Sequence, residues 1–327
     1  MTPSTPRPSR VVKVVSETAP WLAVEEIGPL PEPGEGQVHV EMLLAAVHPA
    51  NILQIRGQYG DQPALPYVPG FEGVGRVAAC GPGVTRVQPG QMVLPLVQGT
   101  WADDMILSEK ALMPVAEGTD PAQAALFKAN PATALVMLTR MTSLEPGDAV
   151  IFNAANSSVG QNLIGICRAL GLKSFAQVRS ASAAEAIQGL NPDVLIIGDE
   201  IPAEATGAKL ALDAIGGAAT ERLGGSLTEG GIVVTYGLLS GEAPRLAAKD
   251  VVFRGVTLRG FWLAQEFGRM APADVRAIFA QLSDWLAKGV IGSRIAQILP
   301  LERAAELPDL HDAARDGKIL LSTRHYC

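Results

Sequence analysis

The run Ala149-Val150-Ile151-Phe152-Asn153-Ala154-Ala155-Asn156-Ser157-Ser158-Val159-Gly160-Gln161 carries the chemistry most directly readable from this chain. Apolar β-type residues enter a turn of small residues. A helical pattern leaves it, with Val159, Leu163, Ile166 and Leu170 spaced to bury one face. Strand, tight turn and helix N-terminus make a cradle for a pyrophosphate, because free N–H groups and the positive end of the helix dipole point at the anion. Asn153, Asn156, Ser157, Ser158, Val159 and Gly160 are the candidate contacts. Asn153, Ala155 and Asn156 replace the usual glycines of such a turn, so the reading depends on the elements around it.

Those elements support it. Pro146-Gly147-Asp148 punctuates the chain before the strand, and Gly171 stands where a helix C′ glycine is common. Strand-like runs follow at Lys173 to Val178, Val194 to Gly198, Leu210 to Ile215, Gly231 to Gly237 and Thr257 to Trp262, with helical stretches between several of them. This alternation predicts an α/β fold with a doubly wound parallel sheet. Arg179 follows the second strand, nineteen residues after Gly160, with no acid beside it. An arginine there suits the 2′-phosphate of NADPH, whereas a carboxylate would suit NADH. Only fourteen residues separate Arg179 from Val194, less than a full crossover helix and its loops normally occupy, which predicts a shallower adenosine side.

A chain of 327 residues can hold two domains. The net charge of −7 and pI near 5.2 argue against nucleic acid or an anionic membrane as partner, and no apolar run reaches membrane-spanning length. Met1 to Arg10 reads as a frayed leader with a weak transit-peptide alternative. Cys80, Cys167 and Cys327 are odd in number and scattered, which fits a reducing compartment and a cytoplasmic protein. Before residue 130, short strands such as Gly34 to Ala46 and Gly73 to Ala79 alternate with Pro and Gly turns, as in a small barrel. Ala273 to Gly289 has helical periodicity.

The segments His48-Pro49-Ala50-Asn51 through Arg56-Gly57-Gln58-Tyr59-Gly60, Pro69-Gly70-Phe71-Glu72-Gly73-Val74-Gly75, Gly99-Thr100-Trp101, Asn130-Pro131-Ala132-Thr133-Ala134, Val234-Thr235-Tyr236-Gly237 and Leu258-Arg259-Gly260-Phe261-Trp262-Leu263 carry a family pattern. Together they resemble a medium-chain dehydrogenase/reductase, most closely the zinc-free 2-enoyl thioester reductases. The resemblance implies a GroES-like β-barrel catalytic domain over 1–130 and 271–327, and a Rossmann-type domain over 131–270. It implies Tyr59 as the donor near the thioester carbonyl, Asn51 as its orienting partner, and Trp101 and Trp262 as substrate-lining residues. Asn130, Thr133, Tyr236, Gly237, Phe261, Trp262 and Lys318 join the cofactor contacts, Lys318 towards the phosphates. No metal is expected, since Phe71 stands where zinc relatives carry a histidine, Glu72 alone cannot hold zinc, and His39, His48, His311 and His325 lack ligand spacing.

The implied activity is NADPH-dependent reduction of a trans-2-enoyl thioester of coenzyme A or acyl carrier protein, in a homodimer joined at the sheet edge around Val256 to Leu263. The alternatives are a zinc-free quinone or enone reductase, or a non-catalytic nucleotide-binding relative.

Overall fold

A computed structural model describes residues 8–312 and 317–326, with the side chains of residues 311 and 312 left aside. The leader expectation for residues 1–7, the His311 side chain and Cys327 lie outside the described residues.

The N-terminal part runs β1 (Ser9–Val14), β2 (Leu22–Ile27), β3 (Gln37–Val47), α1 (Pro49–Ile55), β4 (Gly73–Cys80), β5 (Met92–Pro95), β6 (Asp104–Ser108), β7 (Leu112–Pro114) and α2 (Pro121–Ala124). The middle part runs α3 (Asn130–Arg140), β8 (Ala149–Phe152), α4 (Ser158–Ala169), β9 (Lys173–Val178), α5 (Ala181–Glu185), β10 (Val194–Ile197), β11 (Ala208–Asp213), α6 (Gly217–Ser226), β12 (Leu227–Thr235), α7 (Ala248–Arg254), β13 (Thr257–Gly260), α8 (Leu263–Arg269) and α9 (Pro272–Ala287). The chain then returns through β14 (Ile295–Pro300), α10 (Leu307–Asp312) and β15 (Lys318–Ser322).

Two units result: Met1–Lys128 with Ile295–Cys327, and Ala129–Arg294. The first is built on β3, whose early residues alternate between core and surface and whose later ones are buried throughout. Val38 to Glu41 pair with β6 and Leu44 to Val47 with β15, while β4 covers the other side. The strand order is β14-β15-β3-β4-β5-β7 with β6 branching from β3, and β1 and β2 form a separate hairpin. A charged cluster ties the chain ends to this sheet. Asp103 takes Arg10 Nε at 2.7 Å, and Asp104 takes Arg324 at 2.8 Å and both His39 and His325 at 3.1 Å. Burial opposes ionisation of Asp104, but hydrogen bonds from His325 and His39 overcome it and hold the carboxyl far below its usual range.

The second unit is one parallel sheet in the order β10-β9-β8-β11-β12-β13, the arrangement of a doubly wound nucleotide fold. Ile151, Phe175, Ala211, Leu223 and Val233 form its core. The strand order reverses between β8 and β11, so ligands are expected at the carboxyl ends of these strands. The short crossover is confined to α5 and a 3₁₀ turn at Gln188–Leu190. The return to the first unit comes at residue 295, later than the expected 271, because α9 turns Phe279 towards Phe267 of α8 at 5.7 Å and pairs Asp274 with Arg140 of α3 at 3.6 Å. No described helix is long and apolar enough to cross a membrane.

Candidate active site

In the second unit the turn after β8 is shaped by burial. Ala154 adopts φ 48, uncommon for a residue with a side chain, and Ala155 is fully buried with its N–H on Gln177 O at 3.0 Å. A Cβ on Gly160 would lie 2.5 Å from Ala155 Cα and O, so α4 can leave this turn only with glycine there. Ser157 caps the helix, its Oγ accepting from Gly160 N at 3.2 Å. The amides of Ser158 and Val159 belong to the first turn, which an α-helix leaves unbonded within itself, and they could meet an anion. The Ser158 hydroxyl is committed elsewhere: it is buried against Ser293 Oγ. Asn156 is half-buried, with its carbonyl held by Gln161 Nε2 at 2.8 Å.

Asn153 departs from its expected role. It is fully buried, donates from Nδ2 to Asp213 Oδ1 at 2.6 Å and accepts from Ala214 N at 2.8 Å. Both polar ends of the side chain thus serve to tie β8 to β11 rather than to meet a phosphate. The cause is Asp213, a buried carboxylate that must collect donors and also takes Ile215 N at 2.9 Å and Thr220 Oγ1 at 2.6 Å. Sequence reasoning missed Asp213, although an acid ending an apolar strand before Gly216-Gly217 was the available signal.

The other cofactor candidates fall mostly at carboxyl ends of strands. Arg179 is exposed directly after β9 and has no ion pair among the described residues. Tyr236 and Gly237 follow β12. The Tyr236 hydroxyl is buried without a well-formed hydrogen bond, and burial, then Asp213, push its pKa above that of an ordinary phenol against the pull of Ser157. Phe261 follows β13, with its N–H on Thr235 O at 2.9 Å, and Trp262 is 41% exposed. Asn130 opens α3, buried, with Nδ2 lacking a hydrogen-bond partner among the described residues, and Thr133 sits half-buried one turn on. These orphaned polar atoms and free helix amides fit a dinucleotide, which would be held by the α4 N-terminus, Asn130, Tyr236 and Arg179.

In the first unit, His48 is the N-cap of α1, its backbone N–H donating to Asn51 Oδ1 at 2.9 Å. Asn51 Nδ2 is buried and has no hydrogen-bond partner among the described residues. Gly57, at φ 72, ends the helix and opens the loop that carries Tyr59. Gln54 Nε2 on Asp61 O at 3.2 Å and Gln62 Nε2 on Tyr59 O at 3.0 Å fix that loop. The Tyr59 ring is half-buried and rests 5.4 Å from Phe71 at 42°.

One expectation is corrected in this unit. Trp101 is fully buried among Val12, Val47 and Ile52, with Nε1 on Ala46 O at 3.1 Å, so it belongs to the core and not to a substrate wall. Lys318 lies on β15, buried, with Nζ 3.0 Å from His48 Nδ1. His48 Nε2 lies 2.6 Å from Glu72 Oε1. No group of three metal-ligating residues occurs among the described residues.

Fold and site together define a two-unit oxidoreductase of the medium-chain type. Residues 34–117 match the alcohol dehydrogenase GroES-like domain. The mitochondrial enoyl-[acyl-carrier-protein] reductase of Rattus norvegicus is 34% identical over 279 residues, covering 81% of this chain and 75% of the relative. A Bacillus thuringiensis structure provisionally named an NADPH:quinone reductase matches with TM-score 0.86 at 26% identity, over 96% of this chain and 98% of the other. The Etr1p complex with NADP and crotonyl-CoA matches with TM-score 0.85 at 20% identity, over 97% of this chain and 100% of the other. This chain belongs to the enoyl thioester reductase branch of the medium-chain dehydrogenases/reductases.

Proposed function

We propose that the protein reduces the α,β double bond of a trans-2-enoyl thioester with NADPH. The observation that carries this reading is the first unit's own chemistry: a tyrosine on a loop fixed by Gln54 and Gln62. When bound, NADPH supplies a hydride for Cβ. Negative charge then develops on the thioester oxygen, and the Tyr59 hydroxyl, protonated near pH 7, donates to it and supports protonation at Cα. Asn51 holds the α1 cap that leads into the Tyr59 loop. The helix amides of Ser158 and Val159 and the Asn130 amide orient the cofactor, and Phe261 and Trp262 line the nicotinamide end.

A side-by-side spectrophotometric assay tests the reading: NADPH oxidation with crotonyl-CoA, longer enoyl thioesters and a quinone. Turnover with thioesters above the quinone is expected. The reverse order would favour quinone reduction, the reading that the Bacillus thuringiensis likeness supports. Acyl carrier protein and coenzyme A thioesters belong in the same comparison, because the rat relative is named for the carrier protein.

Arg179 is proposed as the 2′-phosphate partner. Arg179→Ala is expected to weaken NADPH binding roughly ten- to a hundredfold, the worth of one charge-assisted contact of about 1.5–3 kcal/mol, with NADH hardly affected. Titration by cofactor fluorescence reads this directly, and an equal loss for both cofactors would assign Arg179 to the fold.

We also propose a two-fold homodimer through β13. Every residue of that edge strand is exposed, and Val252 and Phe253 of the adjoining α7 are 68% and 81% exposed. Light scattering at micromolar concentration should give twice the 34.2 kDa of one chain, and a monomer mass would refute it. A reducing compartment suits the free thiols of Cys80 and Cys167: the cytoplasm, or the mitochondrion for which the rat relative is named.

A further inference from the structure

We propose that Asp213 is a positioning residue of the reductase: its buried carboxylate fixes the three loops that leave β8, β11 and β12 at the ligand end of the parallel sheet. The proposal rests on the reductase reading above, with NADPH at that end. Asp213 is the last residue of β11 and is fully buried. Its strand pairs with β8 through Leu212 and Phe152, and with β12 through Asp213 and Thr235. The carboxylate therefore stands where the strand order reverses, among the strand ends that enclose a ligand in this type of sheet.

Donors reach it from all three strand ends. After β8, Asn153 Nδ2 lies 2.6 Å from Oδ1. After β11, Ile215 N lies 2.9 Å from Oδ1, and Gly216 N lies 3.2 Å from Oδ1 and 3.3 Å from Oδ2. Gly216 takes φ 88 as the loop wraps the carboxylate, a conformation that glycine adopts without steric cost. At the end of β12, Thr235 Oγ1 reaches Oδ2 at 3.4 Å, and Tyr236 donates its N–H to the Asp213 carbonyl at 2.9 Å. Thr220 Oγ1 of α6 adds a further bond at 2.6 Å.

The order spreads from the carboxylate to residues that make no bond to it. Leu239 N and Ser240 N, beyond β12, donate to the Ala214 and Ile215 carbonyls at 3.0 and 2.9 Å. Asn153 Oδ1 accepts from Ala214 N at 2.8 Å, so the turn that leads to the α4 cap is held to the same loop. An anion at this end of the sheet repels phosphates, and that sign separates a charge effect from a positioning effect.

Asp213→Asn keeps the size of the side chain but turns an amide towards the donors. NADPH affinity, read by cofactor fluorescence, should fall roughly ten- to a hundredfold through misplacement of the loops, although loss of the charge alone would tighten binding. The loss should appear in KM for NADPH, with kcat at saturating cofactor within about twofold of wild type. Wild-type or tighter NADPH binding would overturn the proposal. Asp250→Asn removes another buried acid of the same unit, 2% exposed and paired with Arg254 at 2.7 Å on α7. It should melt lower yet bind NADPH as the wild type does, and a loss as large as that in Asp213→Asn would overturn the positioning role.

Asn153→Ala keeps the carboxylate and decides the matter even if Asp213→Asn does not fold: NADPH should bind more weakly, and wild-type binding would overturn the proposal. Where both fold, the double variant should bind no more weakly than Asp213→Asn, because Asn153 acts through that carboxylate; additive losses would count against it. Amide hydrogen exchange of the cofactor-free protein gives a reading independent of binding. Leu239 and Ser240 should exchange roughly tenfold faster in Asp213→Asn, and wild-type rates there would overturn the proposal. If the wild type reduces no enoyl thioester, the functional reading fails on its own, and the exchange rates and the NADPH titration still decide this one.

Discussion

Tyr59→Phe is expected to lower kcat and kcat/KM with an enoyl thioester together, by a factor of order 10²–10³. The estimate equals the loss of one oxyanion-type donor, about 2.7–4 kcal/mol. Phenylalanine keeps the ring and its 5.4 Å contact with Phe71, so the loop should hold its shape and the melting temperature should scarcely change. The interaction is made chiefly in the transition state, which is why the loss belongs in kcat and not in KM alone. NADPH affinity should be unaffected. Steady-state kinetics with a cofactor titration check all three quantities, and full turnover in the variant would reduce Tyr59 to a packing residue.

Gly160→Ala should act on the cofactor instead. A methyl group there would press on Ala155 Cα, C and O at 2.5–2.7 Å, all backbone atoms of a turn that is itself buried and bonded to Gln177. The helix start must shift, and with it the Ser157 cap and the amides that would meet the pyrophosphate. A displacement near 1 Å at such a site can remove on the order of 10² in effect, and a comparable loss of NADPH affinity is expected with a lower melting temperature. Gly189→Ala is the control, because nothing lies within 4 Å of the added carbon. Wild-type NADPH affinity in Gly160→Ala would show that the turn does not hold the phosphates.

The parts of this molecule written in local pattern could be read before the fold was known. The strand Lys173 to Val178 has the limits that its apolar run implied, and the turn from Phe152 to Gly160 sits where strand gives way to helical periodicity. The parallel sheet follows from such runs, since the central ones, β8, β9 and β11, hide both faces and signal it in composition. Long-range partnerships were not legible. Asn153 looks like a phosphate contact until Asp213, sixty residues on, claims its amide. Trp101 resembles a cleft aromatic until the Ala46 carbonyl takes its indole proton. His48, Glu72 and Lys318 show no ligand spacing because their meeting is made by the barrel, with Lys318 270 residues from His48. The limit at residue 295 was hidden for a related reason: the periodicity of α9 shows an apolar face but not which unit receives it.

Hydride delivery to the β-carbon of an enoyl thioester is read from the position of isotope in the product. NADPH deuterated at the transferring C4 position would be reacted with crotonyl-CoA in ordinary water, and the butyryl product examined by NMR and mass spectrometry. One deuterium at C3 and one solvent-derived proton at C2 are expected. A butyryl product with deuterium at C2, or cofactor oxidation with no label in the thioester, would contradict it.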